Sequence, residues 1–406
     1  MNFKLKNKSG ITLIALIITI IVMLILVGVV VTVVIQSNLL GTAKTAGDKY
    51  KTAYEDESNM SEVTINGEKY ASIEDYIEST KPLPEIKAGE RASETSKYQT
   101  AVIPKGFTVS DATEEKDVST GLVIYDIPEN EIENVKWDGT EKTKYNQFVW
   151  IPVAVNKATD TETSIASFYR SAWANNARTE GLDSKYTEPY SYDKTNDYDT
   201  STGIKSQIEN LTKSIYKYGG FYIGRYEAGS ETERKSSSGK TAIGIKQDMY
   251  PYNYVKWGES MSNIGTVGAV YLSNNLYNSS NYGATSMLCT GACWDSMLDF
   301  IKDEEHKVTN STNWGNYWNS DYTVNRGKYA EYSNDTLGDF QNVNNEYSKE
   351  RNQKILLTTG ATERNSAKNI YDVAGNCCEW TTESNSSAYR VHMDRQLLQR
   401  CFCLSS

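Results

Sequence analysis

Six cysteines, two histidines and a few charges set among aromatic residues are where chemistry could reside in this chain of 406 residues. Cys289 and Cys293 stand four apart in LCTGACWDSMLDFIK, so a helix would present both on one face. Small thiols in such a helix behave as core residues. Cys377 and Cys378 are adjacent and therefore poor joint ligands for one ion; Cys401 and Cys403 lie at the end of the chain. His306 and His392 alone offer little for a zinc centre or a histidine-based triad. No Gly-rich phosphate loop and no nucleophile elbow occurs. Arg225 and Glu227 alternate with aromatic residues in YGGFYIGRYEAG (218–229), and two opposite charges there must be paired if they are buried. Gly375 and Asn376 form a turn pair directly before Glu379 and Trp380. The stretch 310–325, with Trp314, Tyr317 and Trp318, is a candidate ligand face for a carbohydrate or protein, because Tyr and Trp supply rigid amphipathic contact area.

These residues need elements to position them. Short apolar runs at 121–127 (GLVIYDI) and 147–155 (QFVWIPVAV) read as strands between long polar stretches. Three- and four-residue apolar steps predict helices near 202–216 and 288–302. Residues 61–80 read as a strand–turn–strand with Asn66-Gly67 at the turn, followed by a short helix. Residues 81–100 are polar, contain Pro82 and Pro84, and form a linker. With Lys+Arg 42 against Asp+Glu 52, a net charge of −10 excludes nucleic-acid binding through a broad basic face.

The amino-terminal end differs from this polar average. From Ile11 to Ile35 runs an uncharged stretch of 25 residues, long enough for a bilayer-spanning helix, preceded by Lys4, Lys6 and Lys8. The lysines predict a cytoplasmic amino terminus, hence a single-pass cell-membrane protein with its C-terminal domain extracellular. Residues 36–60 would extend the helix into solvent. The segment KNKSG-ITLIALIITI resembles the type IV prepilin signal, which implies cleavage between Gly10 and Ile11 by a prepilin peptidase, methylation of the new amino terminus, and a 1–10 leader. Ala15 stands where pilins carry a glutamate, which weakens the likeness for filament assembly.

Four further segments resemble the formylglycine-generating-enzyme-like (sulfatase-modifying-factor) domain, a variant of the C-type lectin fold. They are QFVWIPV (147–153), YGGFYIGRYEAG (218–229), ATSMLCTGACWDSMLDFI (284–301) and NIYDVAGNCCEWTTE (369–383). The resemblance implies an irregular domain over 101–406, with Arg225, Glu227, Trp294, Gly375, Asn376, Glu379 and Trp380 as its structural signature. From about Val391 the chain departs from the family's closing block. A one-base shift of frame near Val391–Met393 would explain this and would leave the domain without its last strand.

The expected fold class is α+β, a transmembrane helix followed by a C-type-lectin-like domain. The expected function is a surface-anchored, non-catalytic ligand-binding or display protein. Its partners would be the lipid bilayer through Ile11–Ile35, the peptidase, and a carbohydrate or protein ligand. The alternatives are a minor pilin or pseudopilin, and a formylglycine-generating-type oxidoreductase. The cysteine placement argues against copper; abundant Asp and Asn leave calcium open, although no EF-hand spacing occurs.

Overall fold

The computed structural model describes residues 18–26, 63–65, 68–70, 101–179, 203–236, 241–258, 268–277, 282–384, 390–393 and 402–405. The chain divides into two units, Met1–Pro82 and Leu83–Ser406. In the first, residues 18–26 are helical, and Val63–Ile65 pairs antiparallel with Glu68–Tyr70 in the register Val63↔Tyr70.

The expected membrane helix over Ile11–Ile35 is corrected by this structure. Within that run the structure describes residues 18–26, which are helical. No helix among the described residues is long and apolar enough to cross a membrane. The single-pass topology, the extracellular placement, and the bilayer and prepilin peptidase as partners are withdrawn with it. Gly10 and Ile11, the 36–60 extension and the 81–100 linker lie outside the described residues.

The second unit is built on strands β1 (Thr108–Val109), β2 (Val123–Tyr125), β3 (Gln147–Pro152) and β4 (Gly220–Gly224). Further along are β5 (Thr285–Leu288), β6 (Lys328–Ser333), β7 (Ile355–Leu357), β8 (Glu379–Ser384), β9 (Arg390–Met393) and β10 (Phe402–Ser405). The helices that matter to the argument are α1 (Ile204–Tyr218), α2 (Ala269–Asn274) and α3 (Gly291–Ile301). Six strands form one antiparallel sheet in the order β5-β10-β4-β3-β2-β1. β10 lies between β4 and β5, with Cys403 opposite Ile223 on one side and Met287 on the other. The expectation of a domain without its closing strand is therefore corrected, since residues 402–405 hydrogen-bond into the sheet interior.

The uninterrupted apolar run in β3 follows from burial on both faces of the sheet, because alternate side chains point to opposite sides. Val149 and Ile151, with Val123, Phe221 and Ile223, pack towards α1 and α3. Phe148 and Trp150, with Ile124 and Tyr222, pack on the other side against Ile103, Phe107 and Tyr277. Trp150 and Tyr222 are directly cross-strand, their rings edge-on with centroids 4.9 Å apart. Burying aromatic side chains of this size contributes on the order of 2–3 kcal/mol each. Gly220, opposite Pro152, is the residue that lets the Trp150 indole lie flat there. A Cβ at that position would come within 2.4 Å of the ring and of the Ile151 carbonyl.

Two helices cover the first of these faces. α1 turns Ile204, Leu211 and Ile215 inward at helical spacing. α3 starts at Thr290, whose hydroxyl accepts from the Cys293 amide at 3.0 Å and so caps the first turn. Trp294, Leu298 and Ile301 follow at four- and three-residue steps, all buried. Asp295 is fully buried on the same helix. It accepts from Arg170 Nη1 at 2.7 Å, the Ser171 amide at 2.6 Å and Trp173 Nε1 at 3.0 Å. Arg170 also donates from Nε to Glu383 at 3.0 Å, tying β8 to α3.

Candidate functional site

The Arg225–Glu227 segment leaves the end of β4 and sends its two charges to different partners. Arg225 is fully buried, and its Nη2 donates to Glu115 Oε1 at 2.6 Å. Its Nη1 donates to the Tyr125 hydroxyl at 3.0 Å and to Gln147 Oε1 at 3.2 Å. Burial alone would raise the Glu115 carboxyl. The Arg225 charge, hydrogen bonds from Arg225 and Ser110, and the Lys142 charge outweigh it and hold the group at about 2. Tyr125 and Tyr226, buried beside the same guanidinium, are pushed up in the opposite direction, burial being the main cause. The pairing required of Arg225 is thus met by a residue that the sequence reading did not single out.

Glu227 is buried and takes a hydrogen bond at Oε1 from the side-chain amide of Asn376. Asn376 also donates to the Leu357 carbonyl at 3.2 Å. Its Oδ1 accepts from the Leu357 amide at 2.8 Å and from Asn316 Nδ2 at 3.0 Å. One side chain therefore fastens β7, the Asn316 loop and Glu227 together. The turn that presents it is left-handed at both Gly375 (φ +79°) and Asn376 (φ +69°). At Gly375 a Cβ would stand 2.2 Å from the Asn316 carbonyl oxygen, so backbone approach as well as φ selects glycine.

Around Glu227 the structure forms a cleft of about 610 Å³, counting its solvent-filled mouth. The walls come from Glu227 with its neighbours Tyr226 and Ala228, and from five other stretches. Tyr252 and Val255 stand on one loop, Ala269 and Leu272 on α2, and Leu288 at the end of β5; Cys377, Cys378 and Trp380 follow the Asn376 turn, and Ile243 completes the lining. Trp380 Nε1 donates to the Val255 carbonyl at 2.8 Å, and Tyr252 donates its hydroxyl to the Thr241 carbonyl at 3.0 Å. Behind them Trp257, Val270 and Leu288 pack together, with the Trp257 indole donating to the Thr381 carbonyl at 2.8 Å. The result is an apolar, aromatic slot with one carboxylate in its wall. Cys377 is half-buried and Cys378 exposed at its rim, and neither is in a disulfide. Tyr332, close to both thiols, has its hydroxyl pushed up, mainly by burial.

Of the residues singled out from sequence, Glu227 and Trp380 line this cleft, and Gly375 and Asn376 hold its wall. Arg225 belongs to the adjoining ion-pair network and Trp294 to the main core. Glu379 opens β8, and its side chain lies outside the described residues. The 310–325 candidate face is not gathered into one surface. Trp314 is 3% exposed and packs in the core, Tyr317 is half-buried with its hydroxyl 2.7 Å from Ser311 Oγ, and Trp318 is 57% exposed. Cys289 and Cys293 are both fully buried in the core beside Trp294. His306 stacks edge-on against Trp314, with Nδ1 3.0 Å from the Asp303 carboxylate. Among the described residues no three His, Cys, Asp or Glu side chains converge as a metal site. Leu272 carried no sequence signal, being an ordinary apolar residue brought to the cleft only by folding.

No family model, no curated protein and no solved structure matches this chain. The resemblances to the prepilin signal and to the formylglycine-generating-enzyme-like, C-type-lectin-like domain therefore assign no family. The surface-display, pilin and oxidoreductase readings that depended on them are withdrawn. What stands is a mixed α+β fold, with the cleft described above.

Proposed function

We propose that the cleft is a binding site for a small, flat, mostly apolar molecule carrying a protonated amine. The observation that carries this reading is the Glu227 carboxylate buried in the wall of an otherwise apolar and aromatic slot. A flat ring would gain contact with Trp380, Val255 and Leu272, where burial is worth about 25 cal/mol per Å². An ammonium group would form with the carboxylate a hydrogen bond in which both partners are charged, stronger than the one from the neutral Asn376 amide. Such a site matches the general pattern of concave, apolar pockets with a few fixed polar groups.

Titration calorimetry with tryptamine and with indole-3-propionate tests the reading, because the two probes share a ring and differ in charge. Tryptamine should bind more tightly by roughly tenfold, the value of one charge-assisted bond, and Glu227→Gln should erase the preference. Equal affinity for both probes, or a preference that survives Glu227→Gln, would overturn it.

A further inference from the structure

A second cavity, sharing no lining residue with the cleft, opens at the end of β3. Its walls are Pro152 and Val153, the last turn of α3, and the hairpin turn at Lys368, and it holds about 1180 Å³ including its mouth. Three cations line it, Arg178, Lys302 and Lys368, against one carboxylate, Asp299. That excess of positive charge occurs in a chain with a net charge of −10.

The three cations are held in different ways. Arg178 is fixed by its donors, Nε to Ser171 Oγ at 2.7 Å and Nη2 to the Tyr169 carbonyl at 2.7 Å, with Nη1 3.9 Å from Asp299. Lys302 pairs with Asp299, three residues earlier on α3. Lys368 projects from a left-handed turn position (φ +47°), with its ammonium 4.3 Å from the centre of the Phe300 ring. Among the described residues it makes no ion pair. Burial lowers its proton affinity, opposed by the charge of Asp303. A partly desolvated ammonium facing a cavity beside a fixed guanidinium is stabilised when an anion enters.

We infer that this cavity binds a small multivalent oxyanion, with Lys368 and Lys302 as charge partners and the Arg178 guanidinium as a rigid neighbour. Phosphate and dicarboxylate groups both present the required negative oxygens, and the experiment separates them.

Calorimetry on the full chain with inorganic phosphate, and separately with succinate, is run at constant ionic strength against a sodium chloride control. At least one of the two should bind saturably at one site, and the tighter identifies the oxyanion class. Lys368→Gln should weaken that binding about tenfold, as expected for loss of one charge-assisted contact, whereas Glu227→Gln in the cleft should leave it unchanged. Because Lys368→Gln retains an unbranched side chain at this half-buried turn position, its circular dichroism and melting profile should match the parent. Heats no larger than those of chloride for both anions would overturn the proposal. So would an affinity indifferent to Lys368→Gln.

Discussion

Arg225 and Glu115, separated by 110 positions in sequence, meet as an ion pair of 2.6 Å with both side chains about 1% exposed. The pair joins the end of β4 to a short 3₁₀ turn, Thr113–Glu115, outside the sheet. Tyr125 bridges the two, since its hydroxyl donates to Glu115 Oε2 at 3.1 Å and accepts from Arg225. Both charges had to leave water, so the pair is a stronger statement about fold specificity than about net stability.

Glu115→Gln should destabilise the domain by about 3–5 kcal/mol, because it leaves a buried guanidinium facing a neutral amide. The double variant Glu115→Leu/Arg225→Met should recover much of that loss, as it removes both desolvation costs together. Urea unfolding followed by circular dichroism measures both; a single variant as stable as the parent would contradict the burial.

Acid should weaken the fold through the same pair. Glu115 sits at about 2 in the folded protein against an ordinary value of 4.5, so it binds protons more readily when unfolded. Its contribution is complete above pH 4.5 and is lost as pH falls through 2, a span worth about 3 kcal/mol. A melting series from pH 6 to pH 2 should therefore show a difference between parent and Glu115→Gln that shrinks as the solution becomes more acid.

Gly375→Ala should cost about 2 kcal/mol or more, since a left-handed alanine is strained and its Cβ would press on the Asn316 carbonyl. The displaced turn would carry Asn376 away from Glu227. Weaker tryptamine binding should therefore accompany the lower melting temperature, and unchanged binding would show that the turn does not position the carboxylate.

Trp380→Phe keeps an aromatic ring but removes the pyrrole half of the indole with its hydrogen bond to the Val255 carbonyl, for a loss of about 1 kcal/mol or more in stability. Trp380→Ala should in addition weaken tryptamine and indole-3-propionate alike, because it strips an apolar wall and leaves Glu227 in place. A loss confined to tryptamine would assign the wrong role to the indole.

Much of the secondary structure was legible locally. The run QFVWIPV became β3, GLVIYDI contained β2, the step pattern near 202–216 became α1, and that near 288–302 became α3. Each of these depends on side-chain periodicity, which a short stretch of chain carries by itself. The amino-terminal apolar run was read by the same rule of length and hydropathy. Nine residues of that run, 18–26, are described and helical, and no helix among the described residues is long and apolar enough to cross a membrane. The site was legible in part: Glu227, Trp380 and the Gly375-Asn376 turn stood out because charged, aromatic and turn-forming residues were crowded into short blocks. Trp314 and Trp318 looked equivalent in sequence, yet one is core and the other exposed.

By its sequence alone this protein determined its net negative charge, the strands and helices of its core, and the turn before β8. Those properties depend on residue type and near-neighbour spacing. Only the tertiary structure decided that Arg225 pairs with Glu115, that Glu227 is held by Asn376, and that five separated stretches close one cleft around it. The reason is physical: the partner of a buried charge is whichever polar group the fold brings within about 3 Å after water is removed, and that choice depends on strand order and register.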